Sequence, residues 1–155
     1  SPECTTTVSG PRSRPLIVTS GVTCLADATV NAPVMVRSGA SLVATDSVIN
    51  GPLVASGAEA VQLFGTRVIG ATQLSGTTRD VTIAGSRFEG AVSLAGNTQV
   101  SANERFSRLA GEYGPILVGS TVDGALFCTG NSAEVKDFGA PNQIIGAQGG
   151  DCAAL

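Results

Sequence analysis

Residues 33–51 read Pro33-Val-Met-Val-Arg-Ser-Gly-Ala-Ser-Leu-Val-Ala-Thr-Asp-Ser-Val-Ile-Asn-Gly51, and segments of the same design follow at 52–70 and 71–90. In the first segment, short apolar stretches are separated by Ser-Gly and Thr-Asp and closed by Asn-Gly, which are turn residues. A repeat of this period is typical of a solenoid, in which each repeat buries its apolar side only against its neighbours. We therefore predict an all-β, single-domain parallel β-helix with six or seven coils of about 18–20 residues.

The composition fits a folded domain and argues against two classes of partner. Of the 155 residues 43% are apolar, which is enough for a continuous core. The net charge is -3 and no basic patch occurs, so we expect no nucleic-acid partner. No apolar run approaches the length of a membrane span. Because the polar start Ser1-Pro2-Glu3 is not a signal peptide, we expect that one was removed or that the chain is part of a longer polypeptide.

Four cysteines lie near the two ends of the chain, at Cys4, Cys24, Cys128 and Cys152. They allow three pairings. We favour Cys4 with Cys24 and Cys128 with Cys152, because each bridge would staple a terminal coil and add roughly 3 kcal/mol. Two disulfides would place the protein outside the reducing cytosol. A zinc site and a catalytic cysteine are disfavoured because the chain has no histidine and no C-x-x-C spacing, and we expect no metal or other cofactor.

The repeat pattern divides the chain into a central stack and two ends. In the N-terminal segment we expect Thr5 to Val8 to pair with the first coil, and Arg12 and Arg14 to be solvated. The three predicted parts are an N-terminal cap at 1–14, β-helix coils at 15–127 with an insertion near 101–114, and a disulfide-closed cap at 128–155.

Side chains alternate along a strand, so the first strand of each coil should direct two side chains into the core. The predicted inward residues are Leu16 and Val18, Val34 and Val36, Leu53 and Ala55, Thr72 and Leu74, and Val92 and Leu94. We align the first coil with the second through Val30 and Val48. This alignment places Cys24 in the inward column of Leu42, so we expect Cys24 to be buried.

The residues between those inward positions form an outward column that begins with Ile17, Met35 and Val54. Three apolar side chains stacked about 4.8 Å apart could form a docking face for a neighbouring domain or a protein partner. The alternative is that a loop or the N-terminal segment covers them.

The third strands of three coils each carry an arginine. The segments are Thr66-Arg-Val68, Ser86-Arg-Phe88 and Glu104-Arg-Phe106, and we predict that Val68, Phe88 and Phe106 point inward while Arg67, Arg87 and Arg105 stack outward on successive coils. In the earlier coils, Val30 and Val48 take this column. Such a ladder could bind carboxylates or sulfates of a polysaccharide, since the guanidinium group matches these oxyanions. Alternatively, Glu89 and Glu104 neutralise the row as surface ion pairs.

The insertion near 101–114 interrupts the repeat and contains the single tyrosine of the chain. Insertions in repeat proteins map to loops on one face, often the binding face. Arg105, Arg108, Glu112 and Tyr113 are therefore a second candidate ligand-binding surface, although a tolerated surface loop would look the same in sequence.

Several phrases of the chain resemble β-helical repeat regions of secreted actinobacterial proteins. The phrases are Leu126-Phe-Cys-Thr-Gly-Asn131, Asn142-Gln-Ile-Ile-Gly146, Gly150-Asp-Cys152, Val34-x-Val-x-x-Gly-Ala-x-Leu42, Ser47-Val-Ile-Asn-Gly51 and Thr66-Arg-Val-Ile-Gly70. This resemblance implies a right-handed helix and a non-catalytic module, sometimes appended to extracellular enzymes. The coil size is also similar to that of bactofilins, right-handed β-helices that polymerise end to end, but those proteins are cytoplasmic and lack terminal cysteines.

These observations leave three classes of function. The favoured class is a secreted or cell-surface, non-enzymatic structural or carbohydrate-binding module. The second is an adhesion or assembly protein that binds a partner through the apolar column. A polysaccharide lyase or hydrolase is least favoured, because such enzymes need converging acidic and basic groups. Here Asp27, Asp46, Glu59 and Asp80 are dispersed, and Lys136 is the single lysine.

Overall fold

The computed structural model describes residues 3–100, 113–153 and 155, and they form an all-β structure. The strands of these residues are β1 (Thr6–Arg12), β2 (Leu16–Val18), β3 (Val22–Val30), β4 (Val34–Val36), β5 (Ser41–Thr45), β6 (Val48–Ile49), β7 (Leu53–Ser56), β8 (Ala60–Phe64), β9 (Arg67–Val68), β10 (Thr72–Ser75), β11 (Asp80–Ala84), β12 (Arg87–Phe88), β13 (Val92–Ala95), β14 (Ile116–Val118), β15 (Thr121–Val122), β16 (Leu126–Thr129), β17 (Gln143–Ile144) and β18 (Gln148–Gly150).

The strands pair in parallel with strands one coil away and line three faces of a solenoid. Face 1 contains β5, β8, β11 and β14 with the first part of β3, and face 2 contains β6, β9, β12, β15 and β17 with the last part of β3. Face 3 contains seven described strands, one per coil, from β2 to β18. The predicted parallel β-helix is therefore confirmed.

The interior is a continuous apolar column that runs through every described coil. The predicted inward residues of face 3, from Leu16 to Leu94, are all buried, and none is more than 7% exposed. Val68 and Phe88 are also fully buried, as predicted. Each coil therefore buries its apolar side against the coils above and below, in the manner expected of a solenoid.

The predicted alignment of the first two coils is wrong by one residue. Thr23, rather than Cys24, pairs with Leu42, and Thr29 rather than Val30 pairs with Val48. The connection between β2 and β3 is one residue shorter than the connection between β4 and β5, so the offset between the coils changes from 18 to 19 at this turn. Cys24 is buried as predicted, but it lies in the outward column with Val43.

At the corner between faces 1 and 2, each of five coils has one residue with left-handed backbone conformation, which aspartate and glycine tolerate best. These residues are Asp27, Asp46, Gly65, Gly85 and Gly119, with φ between 48° and 57°. A buried hydroxyl follows in most coils. The Ser86 hydroxyl accepts a hydrogen bond from the backbone N–H of Thr66 at 3.2 Å and donates one to the carbonyl of Ala84 at 3.1 Å. Ser47 and Ser120 repeat this pattern, so buried hydroxyls tie successive coils together.

The corner between faces 2 and 3 is a stack of glycines, because the backbones of successive coils touch there. The stack contains Gly51, Gly70, Gly90, Gly124 and Gly146. A Cβ added to Gly124 would lie 2.7 Å from the carbonyl carbon of Gly90, and one added to Gly146 would lie 2.4 Å from that of Gly124. In an early coil Ala32 takes this position, where it is packed against Gly51.

The corner between faces 3 and 1 differs between the two halves of the molecule. In the early coils the buried residue after the turn is small, as at Ala58. In the later coils it is asparagine, buried at Asn97 and half-buried at Asn131. The Asn97 side chain accepts a hydrogen bond from the backbone N–H of Thr77 at 3.0 Å and donates one to the carbonyl of Leu74 at 2.9 Å. Asn131 makes the equivalent bonds one coil later.

Both predicted disulfides are present. Cys4 is joined to Cys24 with a Cα–Cα distance of 5.7 Å, and Cys128 is joined to Cys152 with a Cα–Cα distance of 5.4 Å. Cys4 is exposed, whereas Cys128 and Cys152 are fully buried. The segment from Thr6 to Arg12 pairs with β3 as strand β1, in agreement with the predicted pairing of the N-terminal segment.

Candidate binding surfaces

The predicted apolar row of face 3 is present in the structure. Ile17, Met35 and Val54 are aligned on β2, β4 and β7, with Ile17 46% exposed and the other two half-buried. The N-terminal segment does not cover them, because β1 pairs along β3 instead. In the later coils the same column contains Gln73, Ser93 and Phe127. Phe127 is 49% exposed.

The arginine column of face 2 is shorter than predicted. Arg67 pairs with Arg87 in register, but the next residue of the column is Thr121. The predicted third position of Arg105 is therefore wrong, and Arg105 itself lies outside the described residues. The connection from β12 to β15 is longer than one coil, so counting by the repeat period selects the wrong residue.

The two aligned arginines are matched by two carboxylates on the same face. The Arg67 guanidinium donates a hydrogen bond to Glu89, and Arg87 lies 3.8 Å from a carboxylate oxygen of Asp123. The hydrogen bond from Arg67 holds the pKa of Glu89 below its ordinary value, and the charges of Arg67 and Arg87 act in the same direction. The same contact raises the pKa of Arg67. Glu89 therefore neutralises Arg67, as the alternative interpretation of the row requires, whereas Glu104 lies outside the described residues.

Of the second predicted surface, the structure describes Tyr113 alone. Tyr113 is 42% exposed, and its backbone carbonyl accepts a hydrogen bond from the Ser132 hydroxyl at 2.8 Å. Arg105, Arg108 and Glu112 lie outside the described residues, so the predicted grouping stays a prediction.

A polar cluster on the outer side of face 1 was missed at the sequence level. The Asp80 carboxylate accepts hydrogen bonds from Gln62 Nε2 at 2.7 Å, Thr82 Oγ1 at 2.6 Å and Gln99 Nε2 at 2.8 Å. Gln62, Thr82 and Gln99 are buried, although Gln62 and Thr82 lie in the outward column of β8 and β11. Gln62 pairs with Thr82 and Asp80 with Ala60, so the Gln62 side chain reaches Asp80 diagonally across neighbouring coils. The available signal was the spacing of 20 residues between Gln62 and Thr82, since residues one coil apart are neighbours. The cluster links three coils, and its donors are directed at Asp80.

Within the described ranges, no helix is long and apolar enough to cross a membrane. In the same ranges, no group of three or more histidine, cysteine, aspartate and glutamate side chains could hold a metal ion. Comparisons of the chain with protein-family models, curated proteins and solved structures found no match.

Proposed function

We propose that the chain is an exported, non-enzymatic structural module that holds its outward surfaces rigid for contact with an extracellular polysaccharide or a neighbouring domain. The observation that carries this proposal is the continuity of the stack: buried hydroxyl and asparagine ladders join the coils, and a disulfide staples each end. The seven coils of the described residues, at about 4.8 Å per coil, give a rod roughly 34 Å long.

Export is supported by the two disulfides, which persist in oxidising compartments. The test is to produce the chain with and without an export signal, count free thiols by alkylation and mass spectrometry, and compare thermal unfolding. We expect the exported protein to have no free thiol and to unfold at a clearly higher temperature. Equal unfolding temperatures for the oxidised and the reduced protein would contradict a structural role for the staples.

Polysaccharide binding is supported by the alignment of Arg67 with Arg87, since two guanidinium groups one coil apart can bind successive oxyanions of a polymer. Carboxylates already contact both arginines, so a ligand must displace Glu89 and Asp123. The test is retention on columns of acidic and neutral polysaccharides, with the Arg67→Gln/Arg87→Gln variant beside the wild type. Selective retention on acidic columns that is lost in the variant supports the proposal, and absence of retention on every column contradicts polysaccharide binding.

A second candidate, adhesion to a protein partner, is favoured by the exposure of Ile17 in the apolar row of face 3. Replacing Ile17 and Val54 by serine should abolish association with such a partner and leave polysaccharide retention unchanged. Unchanged association in this variant would remove the row as the docking face.

A further inference from the structure

The N-terminal end contains a basic pocket that the predicted ligand surfaces do not include. Its lining residues are Val8, Pro11, Arg12, Ser13 and Arg14, and its volume is about 320 Å³. Two arginines thus lie in one pocket of a chain whose net charge is -3, and the lining contains no acidic residue.

Arg12 is held in place by the backbone of the same loop. Its Nε donates to the carbonyl of Arg14 at 3.2 Å, and its Nη2 donates to the carbonyl of Pro15 at 3.0 Å. Arg14 is exposed, as predicted, whereas Arg12 is half-buried and bonded to its own loop. A guanidinium group has five N–H donors, so these two bonds leave three for a ligand. Because the group is already ordered, a ligand meets little further entropic cost for this side chain.

Neither pocket arginine is neutralised by a carboxylate. In residues 3–100, 113–153 and 155 the ion pairs involve Arg67 and Arg87, and neither Arg12 nor Arg14 has such a partner. The arginines of face 2 are therefore paired with carboxylates, whereas those of the N-terminal pocket have no neutralising carboxylate among the described residues. Ser13 lies between Arg12 and Arg14 and adds an exposed hydroxyl donor.

We propose that this cap pocket binds a tetrahedral oxyanion, sulfate or phosphate, either free or as an ester group of a larger molecule. Two guanidinium groups and a hydroxyl, on three consecutive residues that line one pocket, can supply charge-assisted donors to an anion with several oxygens. Val8 and Pro11 form an apolar wall that can contact the part of a larger molecule bearing the ester. The pocket contains neither Arg67 nor Arg87, so its ligand can be tested separately from the arginine column of face 2.

The test is a titration of ¹⁵N-labelled oxidised protein with sodium sulfate and sodium phosphate, against sodium chloride at equal ionic strength. We expect saturable shifts of the Ser13 and Arg14 amides with sulfate and phosphate and none with chloride. Arg14→Gln should weaken binding about tenfold, since it removes one charge-assisted donor group. Arg79→Gln is the matched control, because Arg79 is also exposed, lacks a carboxylate partner and lies outside the pocket. It should change the affinity less than twofold.

Two results would overturn the proposal: shifts that do not saturate in the wild type, or equal weakening by Arg14→Gln and Arg79→Gln, which indicates diffuse attraction. Titrations with a sulfated oligosaccharide and with a phosphomonoester then distinguish a free anion from an ester group as the ligand. Tighter, Arg14-dependent binding of one ester identifies that ester as the ligand class, and equal binding of free and esterified anions identifies a free-anion site. Circular dichroism of both variants confirms that each one folds.

Discussion

At the N-terminal end, strand β1 covers the solenoid with mostly exposed side chains, and Cys4 is exposed. At the C-terminal end, Cys128 and Cys152 are fully buried and belong to the apolar core itself. The first end is therefore closed by backbone pairing along β3, with one half-buried apolar contact from Val8. The second is closed by burial of the disulfide. Both ends have a staple, but only at the C-terminal end is the staple part of the core.

The ends also differ in charge. The N-terminal pocket is lined by Arg12 and Arg14 without an acid. A pocket at the other end, of about 210 Å³, is lined by Glu134, Asp137 and Asp151 together with Lys136. Two disulfides that enclose loops of similar length therefore close two ends whose pockets differ in charge.

The largest expected effect is the loss of the C-terminal disulfide. Replacing Cys128 and Cys152 by serine should lower the free energy of unfolding by about 4 kcal/mol, because the bridge is lost and two hydroxyls are buried in the core. The Cys4→Ser/Cys24→Ser variant should lose about 3 kcal/mol, because only one of its two new hydroxyls, at position 24, is buried. Urea unfolding of both variants measures the difference. A greater loss at the N-terminal end would contradict the assignment of the buried bridge to the core.

The glycine stack gives the next test. Gly124→Ala should lower the free energy of unfolding by about 3 kcal/mol, since the new Cβ meets backbone atoms of Gly90 that cannot rotate away. The reverse change in an early coil, Ala32→Gly, should cost only about 0.5–1 kcal/mol from added chain flexibility. Denaturant unfolding of the two variants compares them directly, and similar losses would show that the later coils can move apart.

The asparagine ladder of the later coils predicts a smaller difference. Asn97→Ala should cost about 2 kcal/mol, because the backbone N–H of Thr77 and the carbonyl of Leu74 lose their partner. The control is Asn50→Ala, an exposed asparagine whose side chain bonds to Asn31, which should cost less than about 0.5 kcal/mol. Thermal unfolding of both variants is the measurement. Equal shifts in melting temperature would mean that the ladder does not stabilise the later coils.

The ion pair of Arg67 with Glu89, in the middle of the stack, has the smallest expected effect. The pKa of Glu89 is lowered in the folded protein by its hydrogen bond from Arg67. Its stabilisation is therefore present above the unfolded pKa of about 4.3 and is lost as the pH falls through the lower folded value. Unfolding measured between neutral and acidic pH should show a shallower acid decline for Glu89→Gln than for the wild type. Arg67→Gln, which removes the donor of this hydrogen bond, should show a similarly shallow acid decline, and a decline as steep as that of the wild type in both variants would contradict stabilisation by this ion pair.

Much of the fold could be predicted because inward apolar side chains alternate with outward side chains along each strand, and this pattern repeats at a nearly constant period. The inward positions of face 3 are confirmed from Leu16 to Leu94, including the polar Thr72. The apolar row follows from the same alternation. The disulfide pairing could be predicted because it alone staples each terminal coil locally.

Register across irregular connections could not be predicted in the same way. Cys24 was assigned to the wrong column because one turn is a residue shorter than the next. Arg105 was assigned to the arginine column although the structure places Thr121 there. In both cases the period is interrupted, and a shift of one residue turns a side chain to the opposite side of the sheet.

The sequence by itself determined the coil, because the spacing of valines, glycines and small polar residues is compatible with few other ways of burying apolar surface. Tertiary structure decided which outward residues are neighbours. Glu89 meets Arg67, three donors meet Asp80, and Arg12 bonds to its own loop. These contacts depend on turn lengths and on the distance between coils. A repeat period restricts such quantities but does not specify them.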